Sequence, residues 1–263
     1  MALFKALRKF LVLVEVYYQY MIEYRLEILF WMLSGILPFI LMGIWIKLAD
    51  MGFTGMSGVD FARYFLGVFI TQELVSVWVI WEFEQGVLTG YLSHLLLKPQ
   101  DPIWYYVGAH VSERLAKLPF IFALVIVFFA LYPSAFWIPN FFDALTYLLL
   151  VSVVFILRFM IQYTVSFFAF WTERISQVEG IIFSVYMFLS GYFAPLDMFP
   201  QWARDLAYLT PFPYMIYLPV NVLLGKGLDV KGVLILLTWT LVFALINRVF
   251  WKFSLRKYSA MGA

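Results

Sequence analysis

The sequence predicts an all-α integral membrane protein. It reads as six transmembrane helices, an amphipathic interfacial helix before them, a short cytosolic helix after the second span, and broken or re-entrant helices before the sixth. Three observations carry this. Hydrophobic residues make up 64% of the chain and charged residues 13%, against about half and a quarter in a soluble domain. Mean hydropathy is +0.89. The apolar residues fall in runs of roughly twenty, the length that crosses a hydrocarbon core. One domain over residues 1–263 is expected.

Residues 3–24 place Leu3, Leu7, Phe10, Leu11, Val14 and Tyr18 at helical spacing, with Lys5, Arg8, Lys9, Glu15, Gln19 and Glu23 opposite. So many charges are costly in a lipid span, so residues 1–25 are expected to lie in the headgroup layer, in contact with membrane lipid. No small-residue cleavage site follows the basic start, and a removed signal peptide is not expected.

Residues 28–46 form the first expected span, kinked at Pro38, and a glycine-rich loop follows at 51–59. The second span is expected over 64–81. Residues 82–102 then interrupt the apolar pattern. Glu82 and Glu84 open the segment, and Gly86 and Gly90 flank Leu88. Residues 91–97 make about two helical turns with Leu92, Leu95 and Leu96 on one side, and Lys98-Pro99 stops them. Such a bracketed amphipathic helix either docks on a soluble partner or is a plain surface loop.

The third span is expected over 118–131, preceded by a mixed, aromatic interfacial stretch at 103–117. A two-proline turn at 132–140 leads to the fourth span, 144–168. A charged link at 172–179 precedes a fifth apolar run, 180–194, of marginal length. Residues 191–224 carry Pro195, Pro200, Pro211 and Pro213, with Asp197 and Trp202 among them. Backbone broken by proline at membrane depth survives only inside protein or beside water, so this stretch is expected to hold short re-entrant or interfacial helices. The last span is 232–250, and the tail is basic.

Orientation follows from lysine and arginine. With the N-terminus inside, both termini, residues 82–102 and the 172–179 link are cytoplasmic, and most basic residues lie there. Lys47, Arg63, Arg204, Lys226 and Lys231 fall outside, a distribution the reverse orientation would violate. The expected location is a bacterial inner or plasma membrane, crossed several times. The net charge of +2 is too small to suggest a nucleic-acid partner. The absence of cysteine removes disulfides, thiolate zinc sites and cysteine nucleophiles together.

Motifs of catalysis are missing. There is no GxxxxGK[ST] phosphate loop, no HExxH and no GxSxG, so no catalytic residue is expected and the chain is not read as an enzyme. His94 and His110, distant in sequence, are a poor basis for a metal site. Glu73 lies near the middle of the second span and Arg158 near the middle of the fourth, one turn from Gln162. A charge at the bilayer centre costs about 2.5–3.5 kcal/mol, so each must face protein or water. Glu73 and Arg158 either pair with each other or line a polar path.

The order of these features resembles the permease subunit of type-2 ATP-binding-cassette (ABC) exporters, over essentially the whole chain. Glu84-Gln85-Gly86 through Leu96-Leu97-Lys98-Pro99 matches that family's E-x-G…L-x-x-P pattern. Pro195-Leu196-Asp197-Met198-Phe199-Pro200-Gln201-Trp202, with Pro211 beyond, matches its outer P…P-x-W…P signature. The tail from Leu255 to Ala263 looks like a subgroup often encoded as permease pairs with a separate ATPase.

The resemblance implies a permease that moves a lipid, glycan, polysaccharide or other amphipathic substrate outward through a dimer interface. Two copies of a separate ABC ATPase would drive it, with a second permease, identical or related, completing the pathway. ATP and Mg would sit on the ATPase, and no cofactor on this chain. Glu82, Glu84, Gly86, Leu88, Gly90, Leu92, Leu96 and Pro99 would couple to the ATPase. Pro195, Asp197, Pro200, Trp202, Pro211 and Pro213 would form an outer gate. The short outer connections leave no room for a large extracellular domain, which disfavours a mechanotransmission type. The alternative is an ATP-independent channel or secondary carrier that works through Glu73 and Arg158.

Overall fold

Twelve α-helices, joined by short turns, make up the computed structural model, which describes residues 2–172 and 174–258. The side chains of residues 1–6, Lys5 included, and the end of the tail at 259–263 lie outside the described residues. Helix α1 (Ala2–Glu23) packs lengthwise on the first half of a later long helix: Phe10 meets Trp104 with ring centroids 5.7 Å apart, and the Ser112 hydroxyl donates to the Val14 carbonyl at 2.7 Å. Its polar side, with Arg8, Glu15 and Gln19, is exposed.

Helices α2 (Arg25–Ser34) and α3 (Leu37–Asp50) make one 26-residue span broken at Gly35-Ile36. Pro38 sits in the first turn of α3, where its missing N–H has no partner to lose. The kink expected at Pro38 is therefore a break just before it. Helix α4 (Gly58–Val75) opens on a capping box, in which Ser57 accepts from the Asp60 N–H at 3.2 Å and Asp60 accepts from the Ser57 N–H at 3.1 Å. It breaks at Ser76–Trp78 and continues as α5 (Val79–Leu88), giving a span of 31 residues. The expected second span, 64–81, thus corrects to a longer and interrupted one. Glu82, Glu84, Gly86 and Leu88 belong to its last helix rather than to a loop.

Gly90, in the left-handed region at φ +74°, turns the chain into α6 (Tyr91–Leu96). Helix α7 (Ile103–Leu131) runs unbroken for 29 residues. The stretch 103–117, expected as a separate interfacial approach, is its first half. A 3₁₀ turn (Pro133–Ala135) is gripped by Arg63, whose guanidinium donates to the carbonyls of Ala135 and Phe136, each at 3.1 Å. Helix α8 (Phe141–Ser166), capped by Asn140, ends in a 3₁₀ turn (Phe167–Phe170). Then come α9 (Ser176–Leu189), α10 (Gln201–Tyr208), α11 (Tyr217–Leu223) and α12 (Val230–Leu255).

Five of these spans are long and apolar enough to cross a membrane. Helix α9, with 14 residues, is short, yet its contacts carry it from one end of the bundle to the other. It starts at the end that holds α6, where the Ser176 N–H donates to Glu84. It finishes beside the other end, where the Gly191 carbonyl accepts from Tyr64 at 2.6 Å and the Phe193 carbonyl from Trp45 at 2.9 Å. By length it falls short of the candidate membrane spans, although it is apolar. Helices α10 and α11 lie at 80° to each other. The Tyr217 N–H donates to the Ser190 carbonyl at 3.0 Å, and α12 begins on that same side, so the bent pair enters and leaves at one end. It is the broken or re-entrant stretch expected before the last span.

The α4–α5 span sits at the centre: 72% of its most apolar stretch is buried, against 11% for α12. Toward the α10–α11 end the core is built on Tyr64, Phe65, Val154 and Ile216. Gly67 lets α11 approach α4 so closely that an added Cβ would lie 3.0 Å from Val220. Toward the α6 end the core is aromatic, with the Phe83 ring 5.7 Å from those of Tyr163 and Phe167. The outer surfaces of α7, α8 and α12 expose Phe122, Ile126, Leu149, Leu241 and Val249, as lipid-facing helices do.

Candidate functional site

A helix that stops inside an apolar bundle strands its last carbonyls and the next segment's first N–H groups. At the Ser76–Trp78 break, one face of α7 answers that need. The Arg114 guanidinium donates to the Leu74 carbonyl at 2.6 Å, to the Ser76 carbonyl at 2.5 Å, and to the carbonyl of His110. His110 Nε2 accepts from the Trp78 N–H at 3.0 Å, which leaves its proton on Nδ1, 3.7 Å from a Glu82 carboxylate oxygen. Lys117, 4% exposed, lies 2.6 Å from Glu113 and 3.4 Å from Glu73. Positions 110, 114 and 117 share one helix face by spacing.

Glu73 therefore does not pair with Arg158; its partner is Lys117. The reason is helical phase. Gln72 and Glu73 are about 100° apart around α4, so only one can turn toward α8. Gln72 does, accepting from Arg158 at 3.0 Å and from the Tyr186 hydroxyl at 2.6 Å. The Arg158 guanidinium also lies 4.3 Å from the Tyr186 ring centroid. Gln162 donates to Glu179 at 2.6 Å, leaving the second Glu179 oxygen buried without a partner. A Cβ on Gly35 would stand 2.7 Å from the Glu73 carboxylate, so the break in the first span faces the break in the second.

Between these two breaks and α9 runs a groove of about 400 Å³, walled by Trp31, Trp78, Trp81 and Phe183, with Glu73, Lys117, Arg158 and Glu179 at its base. A second hollow of about 540 Å³ adjoins it, shares the three tryptophans, and opens toward α1 through Tyr20 and Tyr24. The lining is mostly apolar and holds two acidic and two basic side chains. That combination suits a molecule with both an apolar and a polar part. Among the described residues no cluster of three metal-ligating side chains occurs.

The α5–α6–α7 corner sorts the residues expected to couple. Leu92 and Leu95 are buried at 0% and 1% exposure, against Phe83 and Tyr106, so the apolar side of α6 faces this chain's own core rather than a partner. That corrects Leu92 as a docking residue, and Leu96 is half-buried beside it. Gly86 is buried too: a Cβ there would meet the Tyr106 hydroxyl at 3.2 Å. Glu84, also buried, binds Ser176. What the corner presents outward is Leu88, Tyr91, His94, Lys98, Pro99 and, above all, Leu97, at 84% exposure. Ser93 and Tyr258 share a 2.7 Å hydrogen bond that fastens the chain's C-terminal part to α6.

At the opposite end, Pro195 and Pro200 bracket a 3₁₀ turn (Leu196–Met198). Asp197 accepts from the Tyr217 hydroxyl at 2.7 Å, bridging this turn to α11. Pro211 and Pro213 are buried around the next 3₁₀ turn (Phe212–Tyr214), whereas Trp202 is 72% exposed.

The sequence reading missed the roles of His110, Arg114 and Lys117. The legible signal was their i, i+4, i+7 spacing in a helix that is otherwise apolar. In comparison with protein families, residues 51–262 match the model described as ABC-2 family transporter protein. No curated protein matches the chain.

Proposed function

The chain belongs to the ABC-2 family of transporter proteins, and from that premise we propose that it is the membrane half of an exporter worked by a separate ATPase. Permeases of this family act with an ATPase partner. Two ATPase subunits, with the bound ATP and Mg, would stand against the α6 end of two permeases in the cell membrane. That end would face the cytosol. The exposed groove along α2–α3, α4–α5 and α9 would close against the second permease to form a pathway for an amphipathic cargo, with the Asp197–Tyr217 turn as its outer gate.

One observation carries this reading. The α6 turn is rooted through Leu92 and Leu95 in a buried aromatic core, yet leaves Leu97 exposed. With Leu88 and Tyr91 also exposed at this corner, the turn offers a group of apolar side chains that a partner could cover. Purified alone, the chain is expected to hydrolyse no ATP. Co-expressed with its cognate ABC ATPase, it is expected to yield a stable complex that does. Transport by the chain alone, driven by an ion gradient and indifferent to ATP, would overturn the proposal.

A further inference from the structure

Helix α9 walls the groove with Phe183 and Glu179 and reaches the opposite end at Gly191. Its first turn has no cap of its own: Ile175 stands at the N-cap position and offers no side-chain acceptor. The cap comes from far along the chain. Glu84, on α5 and 6% exposed, accepts from the Ser176 N–H at 2.7 Å and from the Ser176 hydroxyl at 3.0 Å. A carboxylate is the strongest acceptor available to a helix N-terminus, where unpaired N–H groups and the helix dipole both favour negative charge.

We infer that Glu84 is a positioning residue that ties the motor-facing corner to α9, so that displacement of α5 and α6 moves a wall of the groove. The corner and the helix are otherwise separated by the whole of α7 and α8 in sequence. Glu84 itself does not face solvent at the α6 tip, so its task is inside the chain. Beside it, the Gln162–Glu179 bond links α9 to α8, which α5 also packs against through Phe83 and Tyr163. The outward side of α9 exposes Ile181 and Phe188, although the Phe188 ring stacks on Phe193 at 4.8 Å.

The inference rests on the motor-driven reading, and the test separates the two. The chain holds no cysteine, so Phe188→Cys supplies a single reporter near the far end of α9. In the complex with its ATPase, adding ATP and vanadate is expected to change the rate of maleimide modification at that site severalfold. Glu84→Ala is expected to abolish this response while the ATPase still co-purifies and still hydrolyses ATP. A merely structural role would lower complex yield and hydrolysis together. Should Glu84→Ala not fold, Glu84→Gln and Ser176→Ala decide, since the first removes the charge of the cap and the second its hydroxyl hydrogen bond, and each is expected to diminish the response. A full response in these variants, or none in the parent complex, overturns the inference. Failure to form any ATPase complex would instead count against the permease proposal.

Discussion

Lys117→Met is expected to abolish most of the folded protein. Lys117 is 4% exposed and stands between two carboxylates, Glu113 at 2.6 Å and Glu73 at 3.4 Å. Methionine fills a similar volume, so packing is largely kept and the change isolates the charge. Removing one partner of a buried ion pair costs about 3–5 kcal/mol, because the remaining charge is desolvated without compensation. Total stabilities are about 5–15 kcal/mol, so the loss is severe. The measure is the monodisperse fraction after detergent extraction, with the melting temperature of what remains. Adding Glu73→Gln to Lys117→Met is expected to restore part of the yield. By contrast, Glu73→Ala and Arg158→Ala are expected to lose stability additively, since they share no partner; partial rescue in that double variant would contradict the contacts described here.

Leu97→Asp is expected to separate the permease from its ATPase without harming the permease. At 84% exposure Leu97 makes little contact within the chain, and substitutions at such positions change stability by about 0.5 kcal/mol or less. An apolar anchor lost from the centre of an interface costs about 2 kcal/mol or more, or about thirtyfold in affinity. Co-purification measures it. Leu92→Asp is the control: it places a charge among Phe83, Tyr106 and Leu95 and is expected to eliminate the folded chain itself. Equal behaviour of the two variants would contradict the inward and outward assignments of α6.

The distinction between those two leucines marks where sequence alone runs out. The apolar side of a short amphipathic helix looks the same whether it covers its own core or awaits a partner. Composition and run length sufficed for the membrane class, Pro38 for the first break, and the prolines of 191–224 for the re-entrant pair, because each acts through local physics. The break at Ser76–Trp78 has no such signal. No glycine or proline occurs there; the helix is interrupted because Arg114 and His110, some 30 residues later, satisfy the freed backbone groups. Residues 103–117 looked interfacial because Glu113, Arg114 and Lys117 interrupt the hydropathy. Glu113 pairs with Lys117 within α7, and Arg114 spends its charge on carbonyls at the α4–α5 break, so the helix runs on. The partner of Glu73 was hidden for a similar reason: one helical step decides whether residue 72 or 73 meets α8.

The central claim is that the α6 turn lies in the cytosol, where an ATPase can push on it. With no other cysteine present, Leu97→Cys can be probed in intact cells with a membrane-impermeant maleimide. The expected result is no labelling until the membrane is opened, and then full labelling. Labelling of Leu97→Cys from outside intact cells would contradict the claim.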